Sequence, residues 1–254
     1  MFYTILFFII GLILGSFFNV VGLRLPKGES FIKSRSYCPK CKKKLKWYEL
    51  IPLISYIIQL GKCRGCKKHI SVKYPLIELL TGICFAISYI VFGLTLNILI
   101  PLTLISALVI VIVSDTEYMV IPDEIILIAS ILLVLETLFI KGGQACLSSL
   151  FNGVLAFCGM YLIKIVGDAV FKKESLGGGD IKLMFMIGLV FNFQTMIVIL
   201  FLASFMALPY AIAVLLLKKD PIVPYGPFIS LTSIALLLLK LNSVSLFDLI
   251  NYIV

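Results

Sequence analysis

The sequence predicts an all-α, polytopic membrane protein of about eight transmembrane helices, with a basic four-cysteine loop on the cytoplasmic side. Three observations predict it. Of the 254 residues, 61% are hydrophobic and only 14% charged, and the mean hydropathy is +1.13. Soluble domains sit near ~45–50% apolar and ~25% charged. Uncharged runs long enough to span a bilayer, which needs ~20 apolar residues, recur along the chain. The polar residues are gathered into a few short segments instead of being spread over helix faces.

The net charge of +9 does not point to nucleic acid. Of the 22 Lys and Arg residues, 14 lie between Arg24 and Lys73, opposed only by Glu29 and Glu49. The basic character belongs to one loop, as the positive-inside bias predicts.

The elements follow in order. Phe2 to Leu23 carries no charge and predicts the first span. Its start lacks a basic region and a small-residue cleavage site, so it reads as a retained helix rather than a signal peptide. Arg24 to Lys73 is the polar loop. Leu79 to Ser114 is uncharged and too long for one helix, so it splits near Gly93, Asn97 and Pro101. Ser114 to Asp123 is a short acidic segment. Ile125 to Ile140 is a fourth span, interrupted only by Glu136, and Gln144 to about Val166 is a fifth. Asp168 to Asp180 is polar and closes on Gly177-Gly178-Gly179-Asp180. Leu183 to Leu217 splits near Asn192 and Gln194, its first piece short for a full crossing, and Pro209 predicts a kink in the second. Lys218 to Asp220 is a loop, and Pro221 to Leu239 begins the last span. Three regions result: a first helix (1–23), the loop with its cysteines (24–74) and a transmembrane region that carries the acidic segments (75–254). With the basic loop in the cytoplasm, the segments around Asp115 and Asp180 fall on that same side.

Inside the basic loop lie Cys38-Pro39-Lys40-Cys41 and Cys63-Arg64-Gly65-Cys66. Two C-x2-C pairs 21 residues apart predict a structural tetrathiolate site, with zinc as the metal. Disulfides do not suit a reducing compartment, and four thiolates leave no open catalytic position. A loop this polar cannot build its own core, so a metal would supply its folding energy. His69, the single histidine, reads as a solvated loop residue. Cys84, Cys146 and Cys158 lie in apolar spans and read as small buried hydrophobes. Ser16 and Asn19 read as helix–helix hydrogen-bonding groups, and Trp47 and Tyr48 as interfacial anchors.

Ionisable residues at membrane spans mark function by default. Asp115 closes the third span and Asp180 opens the sixth, directly after three glycines that permit unusual backbone conformation or close approach. Two carboxylates that share one proton can hydrolyse a peptide bond without metal. Asp115 and Asp123 are eight residues apart, about 12 Å along a helix, which argues against their pairing directly. Lys164 and Asp168, at i,i+4 spacing, read as a helix-surface ion pair.

These residues together resemble the type IV prepilin peptidases, the leader peptidase/N-methyltransferases with a Gly-x-Gly-Asp motif. The likeness runs along nearly the whole chain. It is carried by Gly15-Ser16-Phe17-Phe18-Asn19-Val20-Val21 with Arg24 and Pro26, by the cysteine pairs, and by Trp47-Tyr48-Glu49-Leu50-Ile51-Pro52 with Ser55-Tyr56. It continues through Tyr74-Pro75 with Glu78, Asp115 with Ile121-Pro122-Asp123, Gly177-Gly178-Gly179-Asp180 with Lys182, and Pro224-Tyr225-Gly226-Pro227-Phe228. The resemblance implies an aspartyl endopeptidase of the bacterial cytoplasmic membrane, with Asp115 and Asp180 catalytic. It implies prepilin or pseudopilin substrates with a short basic leader, cut at the cytoplasmic face. It also implies N-methylation of the new N-terminus from S-adenosylmethionine, for which the sequence carries no Rossmann-type glycine fingerprint. Two other classes compete on the residues alone: a proton- or cation-coupled transporter using Asp115, Asp123 and Asp180, and a zinc-loop membrane scaffold.

Overall fold

The computed structural model describes residues 1–31, 36–38, 40–217 and 223–240. Pro39, the loop at Lys218 to Asp220, the first residues of the last expected span and its tail beyond Lys240 lie outside the described residues. The chain forms two compact units, Met1–Gly93 and Leu94–Val254.

In the first unit, α1 (Phe2–Arg24) packs along α3 (Lys73–Phe92), and the short α2 (Ile54–Ile58) lies in the loop between them. Small residues let the two long helices approach closely. A Cβ on Gly11 would stand 2.7 Å from the Thr81 carbonyl oxygen, and one on Gly15 would stand 2.8 Å from Thr81 Oγ1. Polar residues then tie the pair together, as the sequence predicts for Ser16 and Asn19. Asn19 Nδ2 donates to the Tyr74 carbonyl at 3.2 Å, and the Ser16 hydroxyl bonds the buried Glu78 carboxylate. The other Glu78 bond reaches into the loop, where Leu53 N–H donates to Oε2 at 2.9 Å. Leu53 has φ 58 and ψ −52, a strained conformation for a branched side chain.

The second unit holds α4 (Leu99–Tyr118), α5 (Asp123–Lys141), α6 (Gly143–Phe171), α7 (Gly178–Gly188), α8 (Phe193–Leu217) and α9 (Gly226–Leu238). α4 is a core helix: Leu104, Ile105, Leu108, Val109 and Val111 are fully buried, against α5 and α9. α7 is the other, with Leu183, Met186 and Ile187 fully buried, and α6 is its main neighbour. Asn192 caps α8, its Oδ1 accepting from Thr195 N–H at 2.8 Å and Thr195 Oγ1 at 2.6 Å.

Among the described residues, eight helices answer to the eight expected spans, and no strand is present. Five are long and apolar enough to cross a membrane by length and composition: Phe2–Lys27, Lys73–Phe92, Leu96–Tyr118, Gly143–Phe171 and Phe193–Leu216. α5 carries Asp123, Glu124, Glu136 and Lys141, and α7 and α9 are 11 and 13 residues long. At 1.5 Å per residue α7 rises only about 17 Å, as its short apolar run predicts.

The structure corrects four details. α3 begins at Lys73, not Leu79, because Pro75 suits a first helical turn and Lys73 can sit at its edge. Pro101 lies in the first turn of α4; the break is made by Gly93 (φ 69) and a 3-10 turn at Leu96–Ile98. Cys84 and Cys146 are buried, but Cys158 is exposed on α6. Asp168 accepts from Ser175 N–H (2.7 Å) and Oγ (2.8 Å), capping the turn after α6, while Lys164 Nζ lies 3.8 Å from Glu174 Oε1.

Candidate active site and metal centre

The four-cysteine cluster, a candidate metal centre, is assembled from two turns of nearly the same geometry. In each, the first cysteine N–H bonds the carbonyl five residues on: Cys38 to Lys43 at 3.0 Å, Cys63 to Lys68 at 2.9 Å. In each, the fifth residue returns a bond to the first cysteine and has φ 58: Lys42 and Lys67. Each turn is closed by one antiparallel bridge, Tyr37 with Lys44 and Lys62 with His69. His69 itself is exposed.

The turns face each other, so that all four sulfurs of Cys38, Cys41, Cys63 and Cys66 lie within 4.8 Å of one another. Cys38 Sγ is 4.0 Å from Cys66 Sγ, and Cys41 Sγ is 3.9 Å from Cys63 Sγ. A tetrahedral zinc with bonds of about 2.3 Å needs sulfur–sulfur edges of about 3.8 Å, so the donor set fits this ion. The amide N–H groups of Cys66 and Gly65 lower the Cys63 thiol to about 6, so one ligand is ready as thiolate at neutral pH. Against the lowering effect of the Lys43 N–H, burial and hydrogen bonds to the other three cysteines push Cys41 up to about 11. A divalent cation among them would relieve that opposition.

Glu49 braces the same loop. Its Oε2 accepts from Lys46 N–H at 2.8 Å, and its Oε1 lies 3.3 Å from Lys43 Nζ. The Lys46 N–H, followed by Lys43, holds its carboxyl below the usual glutamate range. Trp47 beside it is exposed and packs edge-on against Tyr48, whose ring lies under Lys46 and Arg64.

In the second unit, three helix ends converge on the two expected aspartates. Asp115 is buried in the last turn of α4, which closes where Met119 turns left-handed (φ 54). Its Oδ2 accepts from the Gly226 N–H, at the start of α9, at 3.1 Å. Asp180 lies in the first turn of α7, its N–H bonded to the Gly177 carbonyl. Tyr225 directly precedes Gly226, and Ile121 packs against both Gly226 and Gly179, the residue before Asp180. The Tyr225 hydroxyl in turn contacts Ser204 Oγ at 2.9 Å and donates to the Leu200 carbonyl of α8. Asp180 Oδ1 is buried without a hydrogen-bond partner among the described residues, an atom in need of a proton, a water or a substrate group.

The glycines act through space, not through unusual torsions. Gly177 has φ −67 and ψ 140, and none of Gly177 to Gly179 has a positive φ. A Cβ on Gly179 would stand 3.0 Å from Ile121 Cβ, and one on Gly177 would stand 3.1 Å from Asp180 Oδ2, while Gly178 faces open space. Ile121 is therefore wedged between α7 and α9, its Cδ1 3.1 Å from where a Gly226 Cβ would be.

Asp123 does not join the aspartates. Both its oxygens take Lys182 Nζ, at 2.7 and 2.8 Å, tying the start of α5 to that of α7. The roles of Gly226 and Tyr225 escape sequence reasoning. Gly226 stands 111 residues from Asp115, in a motif, Pro224 to Phe228, with no titratable group but a tyrosine to single it out.

Fold and site define a polytopic, all-helical membrane protein with a four-cysteine loop in one unit and a convergent pair of aspartates in the other. Residues 9–92 match the bacterial peptidase A24 N-terminal domain and residues 102–212 match the type IV leader peptidase family, one match in each compact unit. Among curated proteins, a prepilin leader peptidase/N-methyltransferase of Bacillus subtilis strain 168 is 36% identical over 231 residues, covering 89% of this chain and 90% of the relative. One of the same name from Vibrio cholerae serotype O1 is 34% identical, covering 81% and 84%. Another, from Myxococcus xanthus strain DK1622, is 35% identical over 84% of this chain, which spans 64% of that relative's length. No solved structure matches the chain. The chain belongs to the type IV leader peptidase family, and it is a protease.

Proposed function

We propose that this protein removes the leader from type IV prepilins or pseudopilins by an aspartyl mechanism, with Asp115 and Asp180 as the catalytic pair. The observation that carries the reading is that the last turn of α4 and the first turn of α7 meet around Ile121, which abuts Gly179 next to Asp180 and Gly226, whose N–H holds Asp115. Both aspartates fall within the segment that matches the peptidase family, and the names of the relatives support the substrate class.

In this reading one proton is shared by the pair. The ionised carboxylate takes a proton from the attacking water, and the protonated one donates to the peptide carbonyl oxygen. Gly226 N–H orients Asp115 from the start of α9, where partial positive charge favours an anion. The open space at Gly178 lets an extended substrate backbone approach α7. The region 75–254 performs the proteolysis. The relatives' name includes an N-methyltransferase; in this reading the loop 24–74, with Cys38, Cys41, Cys63 and Cys66 on structural zinc, serves that second activity, methylating the new N-terminus from S-adenosylmethionine. The basic loop and the aspartates share the cytoplasmic side of the bacterial cytoplasmic membrane, as charge bias supports.

The test is cleavage of a prepilin in membranes carrying wild type, Asp115→Asn or Asp180→Asn at matched expression. Loss in both variants supports the pair; retained cleavage in either removes that residue from the mechanism.

A further inference from the structure

α5 and α6 are joined by a tight turn at Gly142, and near it Cys146 Sγ approaches the Val134 carbonyl at 3.9 Å. Toward the other end the two helices flank a groove of about 640 Å³. Its walls are Ile126 and Ser130 of α5 and Val154 and Phe157 of α6, and its floor is Phe185 and Lys182 of α7. α7 is the helix that carries Asp180, and Lys182 and Phe185 form its exposed to half-buried stripe, while Leu183, Met184, Met186 and Ile187 are buried.

The groove has two features that a lipid-filled crevice does not require. First, Ser130 is buried, lines the groove, and its Oγ has no partner among the described residues. A helical serine ordinarily bonds the carbonyl four residues back, as Ser106, Ser204 and Ser233 do here. Ser130 does not, so an acceptor from an occupant would satisfy it. Seven residues along α5 place it about 10 Å below Asp123. An acyl chain offers no acceptor, whereas a peptide carbonyl keeps a second lone pair for Ser130 even when it is bonded within a helix. Second, the mouth is acidic. Asp123 and Glu124 stand there with Lys182, and Lys182 is engaged with Asp123, which leaves an excess negative charge from Glu124. An anionic lipid headgroup is repelled by that excess, and a basic peptide is attracted.

We propose that this groove binds the apolar stretch of the substrate polypeptide, with its basic flank at the Asp123–Glu124–Lys182 mouth and a backbone carbonyl accepting from Ser130 Oγ. The inference rests on the proteolytic reading above. From the mouth, the chain passes over the glycine-rich start of α7, where Gly178 faces open space, to reach Asp180 on the other side of the helix. The groove then sets which polypeptides are held long enough to be cut.

Photo-cross-linking in membranes tests this without relying on a disruptive substitution. A photoreactive residue replaces Val154 inside the groove or, as control, Phe205, exposed on α8 away from it. Both are placed in the Asp180→Asn background with a prepilin co-expressed. The expected result is prepilin captured from position 154 and not from 205. In parallel, Ser130→Ala is expected to raise KM for the prepilin about five-fold, one neutral hydrogen bond, with kcat unchanged. Ser130→Trp, which fills the groove, is expected to raise it further. Capture of phospholipid alone from position 154, equal capture from both positions, or unchanged KM in both Ser130 variants would overturn the proposal. If wild type cleaves prepilin while these results fail, the groove is wrong and the protease stands. If wild type cleaves no prepilin, the proteolytic reading itself has failed.

Discussion

The Gly226 N–H donates to Asp115 Oδ2 at 3.1 Å, so the start of α9 is fastened directly onto a buried carboxylate in the last turn of α4. The contact leaves no room for a side chain. A Cβ at position 226 would stand 2.7 Å from that same oxygen and 3.1 Å from Ile121 Cδ1. Gly226→Ala should therefore displace the Asp115 carboxylate while leaving the helices inserted. A displacement of this size near reacting groups costs on the order of 100-fold in rate. Prepilin cleavage should fall by about that factor at unchanged membrane expression; wild-type turnover in this variant would mean that Asp115 need not hold its observed position.

Glu49 predicts a pH dependence in the cysteine loop. Its carboxyl is held below the ordinary value of about 4.3 by the Lys46 N–H and Lys43. A depressed native value means that the ionised form stabilises the fold above the unfolded value, and that this is lost as pH falls through the native one. Glu49→Gln should thus lower protection of the Lys46 amide against hydrogen exchange several-fold at pH 7, since charge-assisted bonds are about twice as strong as neutral ones. The difference from wild type should be constant between pH 8 and 5 and shrink below about 4.3. A difference that grows on acidification would contradict the assignment.

Gly11 tests how α1 and α3 are held. A Cβ there meets the Thr81 carbonyl oxygen at 2.7 Å, Gly82 Cα at 2.8 Å and Phe85 Cβ at 2.9 Å. Two of those atoms are backbone and cannot swing aside. Gly11→Leu should cost about 1–3 kcal/mol of stability in the first unit, measured by denaturant titration in detergent. Gly143→Ala, which meets nothing within 4 Å, should be near neutral in the same assay.

The spans were legible because a run of twenty uncharged apolar residues has few alternatives to a membrane helix. The cysteine spacing was equally legible, since two C-x2-C turns already contain their own backbone closure and need only meet. Longer-range pairings were hidden. Lys182 finds Asp123 at a separation of 59 residues, and Asp115 finds Gly226 at 111. Hydrophobic runs report which residues lie in a helix but not which helix ends meet. Of the two uses that glycines before Asp180 suggest, backbone freedom and close approach, the structure shows close approach. Backbone freedom goes unused there, whereas the missing side chain at Gly179 admits Ile121. Lys164 and Asp168 show the limit of local spacing: i,i+4 placement offered a pair, and the turn after α6 offered Asp168 two better donors.

Ile121 has a consequence for how the protein could diverge. It is a hydrocarbon spacer seated against the first turns of both α7 and α9, and so against the two backbones that carry or fasten the acids. The spacing of those two backbones is thereby set by a neutral hydrocarbon side chain. Adding or removing one methyl group at this shim would shift the first turns of α7 and α9 against each other, so lineages could adjust how the two aspartates sit without altering either one.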